Sequence, residues 1–348
     1  MKKILCFLLA MLMLLGAAAF AEEERPAWLK GEDEVTGVIT VYTTMDEGQQ
    51  MQIEDVWYKY YPNCTIEWIS DSIGTLVTRA MNEASNPVAD IILGGLFESD
   101  DDSYQEVLEK YTPVNIDEQS VIDPDGYYVY LDIQYMCLVV NEDLEEELGI
   151  TINGYADLLQ PELKGKIIMA DAAASSSAFR QLQTILAVMS EESYGDEAAW
   201  DYIAALMANT GNMTTSSSQV YKSTINGEYV VGLSYESIVQ YMINNGADNV
   251  RLVYPVEGNT ACASGGAMIK GCPNRVAAEA MLDLLGSVEV QEGRALENCA
   301  RGTNRNYIYE GYPSDEEIGV VPLDFEYIAE HKEEMLDRWA ETWAATVR

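Results

Sequence analysis

The chain has 348 residues, 48% of them hydrophobic, with 20 Lys and Arg against 58 Asp and Glu and a formal charge of −38. That balance excludes nucleic acid and anionic lipid headgroups as partners, because a field of this sign repels polyanions while keeping the chain soluble. The length and hydrophobic fraction are those of a globular chain large enough for two lobes.

The first 21 residues read as a signal peptide. Met1-Lys2-Lys3 is the positive start, residues 4–15 are the apolar core, and Ala19-Phe20-Ala21 is the cleavage signal, with cleavage after Ala21. The core is shorter than the ~20 apolar residues of a permanent span, and no later stretch reaches that length. Cys6 lies near the front of the core and not at the cleavage point, so lipid anchoring is not indicated. Removal takes away Lys2 and Lys3 and no acid, so 18 basic residues face 58 acidic ones at a charge of −40. Residues 22–35, with Glu22, Glu23, Glu24, Glu32, Asp33 and Glu34, read as a solvated acidic leader.

Residues 38–42 form the first expected strand. Ile53, Val56, Trp57 and Tyr60 then recur at helical spacing, and Pro62 stops that helix. Thr44 and Glu47 have the spacing of a capping box for its start, with Thr43 free to reach a ligand. Residues 65–69 alternate as a strand, Ser72-Ile73-Gly74-Thr75 opens a second helix, and Asn86-Pro87 follows its end. Residues 89–93 form a third strand, ending in Gly94-Gly95, which allow a close backbone approach. Strands alternating with helices imply βαβ units and a parallel sheet, with ligands at the carboxyl ends of the strands.

The second half repeats this pattern. Residues 136–140 and 167–170 read as strands, with a short helix at 154–159 between them. Asp171 leads through Ala172, Ala173 and Ala174 to Ser175, Ser176 and Ser177, and a helix follows with Leu182, Ile185, Leu186 and Met189 on one face. A helix N-terminus carries unpaired N–H groups and attracts anions. No Glu or Gln stands three residues after any of these serines, so no capping box closes this start. A helix around Trp200, Ile203 and Met207 comes next, followed by Thr214, Thr215, Ser216, Ser217 and Ser218 and a strand at 229–233 ending in Ser234-Tyr235-Glu236. Residues 250–254 form a strand, 255–260 cross back to the first lobe, and a last helix carries Trp339 and Trp343. Cys64, Cys137, Cys262, Cys272 and Cys299 are odd in number, so at least one is free or pairs between chains, and spacing fixes no bridge.

In shared order, Val41-Tyr42-Thr43-Thr44, Tyr61-Pro62, Ser72-Ile73-Gly74-Thr75, Ala89-Asp90-Ile91, Leu163-Lys164-Gly165-Lys166-Ile167, residues 171–177, Gly232-Leu233-Ser234-Tyr235-Glu236 and Tyr254-Pro255 with Glu257-Gly258 resemble the extracellular solute-binding proteins of ABC importers. More narrowly they are similar to the cluster with ferric-iron-binding, sugar-phosphate-binding and aminoethylphosphonate-binding members. The resemblance covers residues from about 38 to 306. It implies a type II periplasmic-binding-protein-like fold of two α/β lobes joined by crossing strands. Lobe 1 is expected at 36–130 plus 257–300, lobe 2 at 131–256, and a C-terminal helical segment at 301–348 packs on them. It also implies export, a monomer without cofactor, a small-molecule ligand in the cleft, and delivery to the membrane subunits of an ABC permease.

The site is expected at Thr43, Thr44, Ser72, Gly74, Thr75, Gly94, Gly95, Ser175, Ser176, Ser177, Ser217, Tyr235, Glu236 and Glu257. The serine-rich starts offer neutral donors to a phosphate, phosphonate or carboxylate, joined by Arg79 or Arg180 if either faces the cleft. Glu236 and Glu257 would meet hydroxyls or an ammonium at the ligand's other end. Ferric iron on Tyr235, Glu236 and Glu257 is the alternative. Iron-binding members of the cluster typically use an adjacent tyrosine pair and a histidine after the first strand. Here one tyrosine stands at the pair's position, and the only histidine, His331, lies in the C-terminal helix. The chain carries no Gly-x-Ser-x-Gly elbow, Ser-x-x-Lys pair, His-Glu-x-x-His or Walker loop, so an exported hydrolase is not expected.

Overall fold

A computed structural model describes residues 25–98 and 102–346; the expected signal peptide lies outside them. Strand β1 (Gly37–Thr43) runs parallel to β2 (Cys64–Ser70) and β3 (Ile91–Phe97), with helices α1 (Glu47–Tyr60) and α2 (Ile73–Asn82) as crossovers. The apolar face of α1 buries Ile53, Val56, Trp57 and Tyr60, and the Trp57 indole donates to Cys64 O at 2.7 Å. The capping box of α1 is formed by Asp46 and Gln49, not by Thr44 and Glu47. Thr43 causes the shift. Its hydroxyl donates to Leu93 O and accepts from Met45 N, which holds the chain extended past Thr44.

After the two-residue strand β4 (Leu108–Glu109), β5 (Tyr128–Asn141) runs through both lobes. Helix α3 (Glu142–Leu148), β6 (Ile167–Ala170), α4 (Ser176–Val188), α5 (Glu197–Asn209), β7 (Thr210–Thr214), α6 (Ser217–Ile225), β8 (Val231–Tyr235), α7 (Glu236–Asn244) and β9 (Val250–Val253) build the second lobe. Strand β10 (Ala261–Ile269) returns to the first, where α8 (Arg275–Leu285) and α9 (Val288–Asn298) follow. The chain ends with β11 (Arg301–Gly302) and α10 (Phe325–Thr346). The strand order is β2-β1-β3-β10-β5-β8-β6-β7, parallel toward each edge and antiparallel at the centre. The first half of β5 pairs with β10 and its second half with β8 and β9, so the expected division at residue 131 falls inside one continuous strand.

The cores separate along the same line. Ile39, Val41, Ile53, Trp57, Ile91 and Leu285 lie in one cluster, and Leu138, Ile167, Leu182, Ile203 and Leu233 in another. Two expected segments differ. Residues 25–35 are not a free leader: Leu29 and Val35 are buried in the first core, and Arg25 donates to Tyr60 O. Residues 301–304 belong to the first lobe, where β11 pairs with β5 and Thr303 and Asn304 join a buried amide network with Gln119 and Gln291. Helix α10 packs on the second lobe through Ile328, Met335 and Trp339. Among the described residues none of the five cysteines is in a disulfide, and all but Cys272 are buried. Among the described residues no helix is long and apolar enough to cross a membrane.

Candidate functional site

The carboxyl ends of β1, β3, β6 and β8 meet at a cleft of about 430 Å³ between the lobes. The first lobe contributes Thr44, Asp71, Ser72, Gly94 and Gly95 to its lining, the second Ser175, Ser176, Ser177, Thr215, Ser216, Ser217, Tyr235 and Ser237. Asp132, Gln134, Ser264 and Arg294 line it from the crossing strands and α9. Met45, Ile73, Phe97 and Ile133 supply apolar surface. Gly94 and Gly95 have φ of 82° and 73°, in the left-handed region that suits glycine. A Cβ at Gly95 would stand 2.9 Å from Thr44 Cγ2, so this close approach is made by the lobe's own side chain.

Nine expected site residues line this cleft: Thr44, Ser72, Gly94, Gly95, Ser175, Ser176, Ser177, Ser217 and Tyr235. The other five lie elsewhere. Thr43 is fully buried in the strand bonds described above. Gly74 and Thr75 face a separate surface depression with Arg79 and Glu83. Glu236, 2% exposed, accepts from Arg301 Nε at 2.8 Å and from the Tyr254 hydroxyl. Glu257 accepts the Tyr155 and Ala156 amides at 2.9 and 2.7 Å, closing the start of the 3₁₀ turn over Ala156–Leu159. Each of these carboxylates is bonded to donors within the protein. The expected metal set of Tyr235, Glu236 and Glu257 therefore does not assemble. Burial pushes the Tyr235 phenol well above its ordinary value, with nearby Tyr221 and Asp46 acting in the same direction.

The arginines named from the sequence do not face the cleft either. Arg79 pairs with Glu83 at 2.9 Å on the surface of α2, and Arg180 is buried over the Phe97 ring. His331 lies on α10, stacked on Tyr327 at 4.0 Å.

The helix starts divide into two kinds. Ser175 caps α4 by accepting Ala178 N at 3.4 Å, and Ser72 caps α2 by accepting Thr75 N at 3.4 Å. The expectation that these two starts stay open is thus corrected, since a serine caps without the Glu or Gln of a capping box. The starts of α6 and α7 have no side-chain cap bond. Ser216 Oγ lies 2.9 Å from Ser218 Oγ instead, and both α6 and α7 begin at the cleft.

Asp132, Gln134, Ser264 and Arg294 line the cleft and are not among the residues expected there from the sequence. A signal exists for three of them. Asp132 and Gln134 alternate with Leu131, Ile133 and Tyr135, and Arg294 falls on the α9 face that also buries Val290, Gln291 and Ala295. A charged or amide group at a position patterned for the core needs a partner, and the sequence supplies none nearby.

A sequence profile of bacterial extracellular solute-binding proteins matches residues 86–303. The chain belongs to that family. Its members bind small molecules outside the cytoplasmic membrane and deliver them to ABC permeases. An uncharacterized protein of Haemophilus influenzae is 25% identical over 290 residues, covering 79% of this chain and 82% of that protein. The periplasmic binding protein AfuA of Actinobacillus pleuropneumoniae, solved with fructose-6-phosphate, superposes with a TM-score of 0.75 at 21% identity, over 88% of this chain and 99% of AfuA. Iron-bound HitA of Pseudomonas aeruginosa superposes with a TM-score of 0.71 at 19% identity, over 88% and 99%. At these identities the likeness is one of fold.

Proposed function

We propose that the protein captures a small organic anion with a phosphoryl or phosphonyl end, a sugar phosphate or phosphonate, between its lobes and hands it to a permease. The observation that carries this reading is the facing of neutral hydroxyl donors across one cleft: Ser175, Ser176, Ser177 and Ser217 on one wall, Ser72 and Thr44 on the other. Helix starts direct N–H groups at the same space, and the uncapped starts of α6 and α7 have the most to give. Glu236 and Glu257 are turned away from the cleft by their bonds to Arg301 and to the Tyr155 amide, while Asp71 and Asp132 remain in its lining. The chain's negative field is screened beyond about 8 Å at physiological salt and does not oppose binding inside the cleft. A ligand touching both walls favours the closed arrangement of the lobes, which is how capture is signalled to a permease.

A thermal-shift screen with sugar phosphates, phosphonates, carboxylates, polyamines and ferric citrate tests the reading. Ligand at 100 times its Kd stabilises the fold by about 2.7 kcal/mol. The expected outcome is a raised Tm with phosphorylated or phosphonylated compounds only. A shift with ferric citrate alone, accompanied by a visible tyrosinate band, would replace the anion by iron.

A further inference from the structure

The serines account for the walls of the cleft and leave its floor without a role. Strand β5 brings Asp132 and Gln134, two residues apart and so on one strand face, into the lining that Arg294 of α9 shares. Arg294 is 2% exposed. Its Nη2 donates to Asp132 Oδ2, whereas Nε and Nη1 are buried without an acceptor in the protein. Asp132 takes the Ser264 hydroxyl on its other oxygen, and its side chain keeps 17% of its surface open. Gln134 Oε1 is likewise buried without a donor.

Unmatched buried donors and acceptors cost free energy, so a floor with both kinds side by side calls for a group that gives and takes a proton. A hydroxyl does both. It donates to Asp132 or Gln134 and accepts from Arg294. An ammonium would meet Asp132 but be repelled by Arg294, and a second anion would meet Arg294 but be repelled by Asp132. With their charges opposed, the two side chains favour a neutral polar ligand surface.

We infer that Asp132, Gln134 and Arg294 form a subsite for hydroxyls on the carbon skeleton of the ligand, which makes that ligand a sugar or polyol phosphate and not an aminoalkyl phosphonate. The inference rests on the proposed function for the phosphoryl end alone.

Calorimetry on the full chain with glucose 6-phosphate, 2-aminoethylphosphonate, inorganic phosphate and glucose decides it. Glucose 6-phosphate is expected to bind at least tenfold more tightly than 2-aminoethylphosphonate or inorganic phosphate. Asp132→Asn and Gln134→Leu are each expected to cut that advantage by roughly tenfold, the scale of one hydrogen bond involving a charged or buried partner. Gln134→Leu lies outside the ion pair and serves where Asp132→Asn does not fold. Binding of inorganic phosphate or 2-aminoethylphosphonate within threefold of glucose 6-phosphate overturns the inference, as does a full advantage retained in Gln134→Leu. Glucose binding as tightly as its phosphate would overturn the phosphoryl reading of the walls and leave the floor subsite standing. Failure of all four to bind overturns both.

Discussion

The serine-lined second-lobe wall of the cleft and Glu236 just past the end of β8 occupy the same kind of position, where a strand gives way to a helix, yet they serve opposite ends. Ser175, Ser176, Ser177 and Ser217 keep their hydroxyls at the cleft surface. Glu236, one residue past Tyr235, is drawn inward by Arg301 and Tyr254. The difference follows from desolvation. A hydroxyl at a cleft wall loses little when solvent leaves, whereas a buried carboxylate must be matched by a cation or several N–H groups. Glu257 on the amides of Tyr155 and Ala156, and Asp90 on those of Thr40 and Asn274, meet the same demand. In this fold these carboxylates bond within the scaffold, while the serines line the cleft.

The largest effect that would break the comparison is the loss of Arg301. Arg301→Ala leaves Glu236 buried and uncompensated and is expected to lower stability by about 3–5 kcal/mol in urea unfolding. A loss near zero would mean that Glu236 is free to meet ligand. Replacing Ser175, Ser176 and Ser177 together by Ala should weaken a phosphorylated ligand roughly 10- to 100-fold in calorimetry, at about 1 kcal/mol for each hydrogen bond lost. Unchanged affinity would remove these serines from the site. Glu257→Ala frees two amides and is expected to cost about 1–2 kcal/mol of stability while ligand affinity stays within twofold. A large affinity loss there would move Glu257 back among the ligand groups.

The smallest effect concerns Asp196, an exposed carboxylate turned onto backbone in the same way. The Glu192, Glu191, Ala199 and Ser193 amides hold its acid at about 2, below the ordinary 3.8. A depressed value stabilises the fold above pH 3.8, and that contribution disappears as pH falls toward 2. Titration by NMR should give a midpoint near 2, and Asp196→Ala should flatten the acid limb of stability against pH. A midpoint at the ordinary value would separate this carboxylate from the buried ones.

Periodicity made most of the fold legible. The pattern of Ile53, Val56, Trp57 and Tyr60 and the short apolar strands placed α1, β1, β2, β3, β6, β8 and β9 close to where they stand. The nine cleft residues were legible for a related reason, because in an α/β sheet strand ends face the ligand. What stayed hidden depends on distant partners. Glu236 meets Arg301 across 65 positions and Glu257 meets Tyr155 across 102, so nothing local marks either as scaffold. Leu29 and Val35 are too sparse among acids to announce burial, although the first core takes both. The floor was missed because Asp132 and Gln134 lie in the mostly apolar run of β5, which ordinarily signals core, and because Arg294 sits inside a helix whose charges otherwise read as surface.

The cysteines of the described residues, none in a disulfide, carry a consequence beyond the cytoplasmic membrane, where disulfides can form. Burial pushes Cys64 and Cys272 each up to about 11 and holds Cys137 well above its ordinary value. Raised values of this kind disfavour the reactive thiolate at neutral pH, with Cys64 buried and Cys272 partly buried. Among the described residues, cleft, hinge and core are held together without a disulfide.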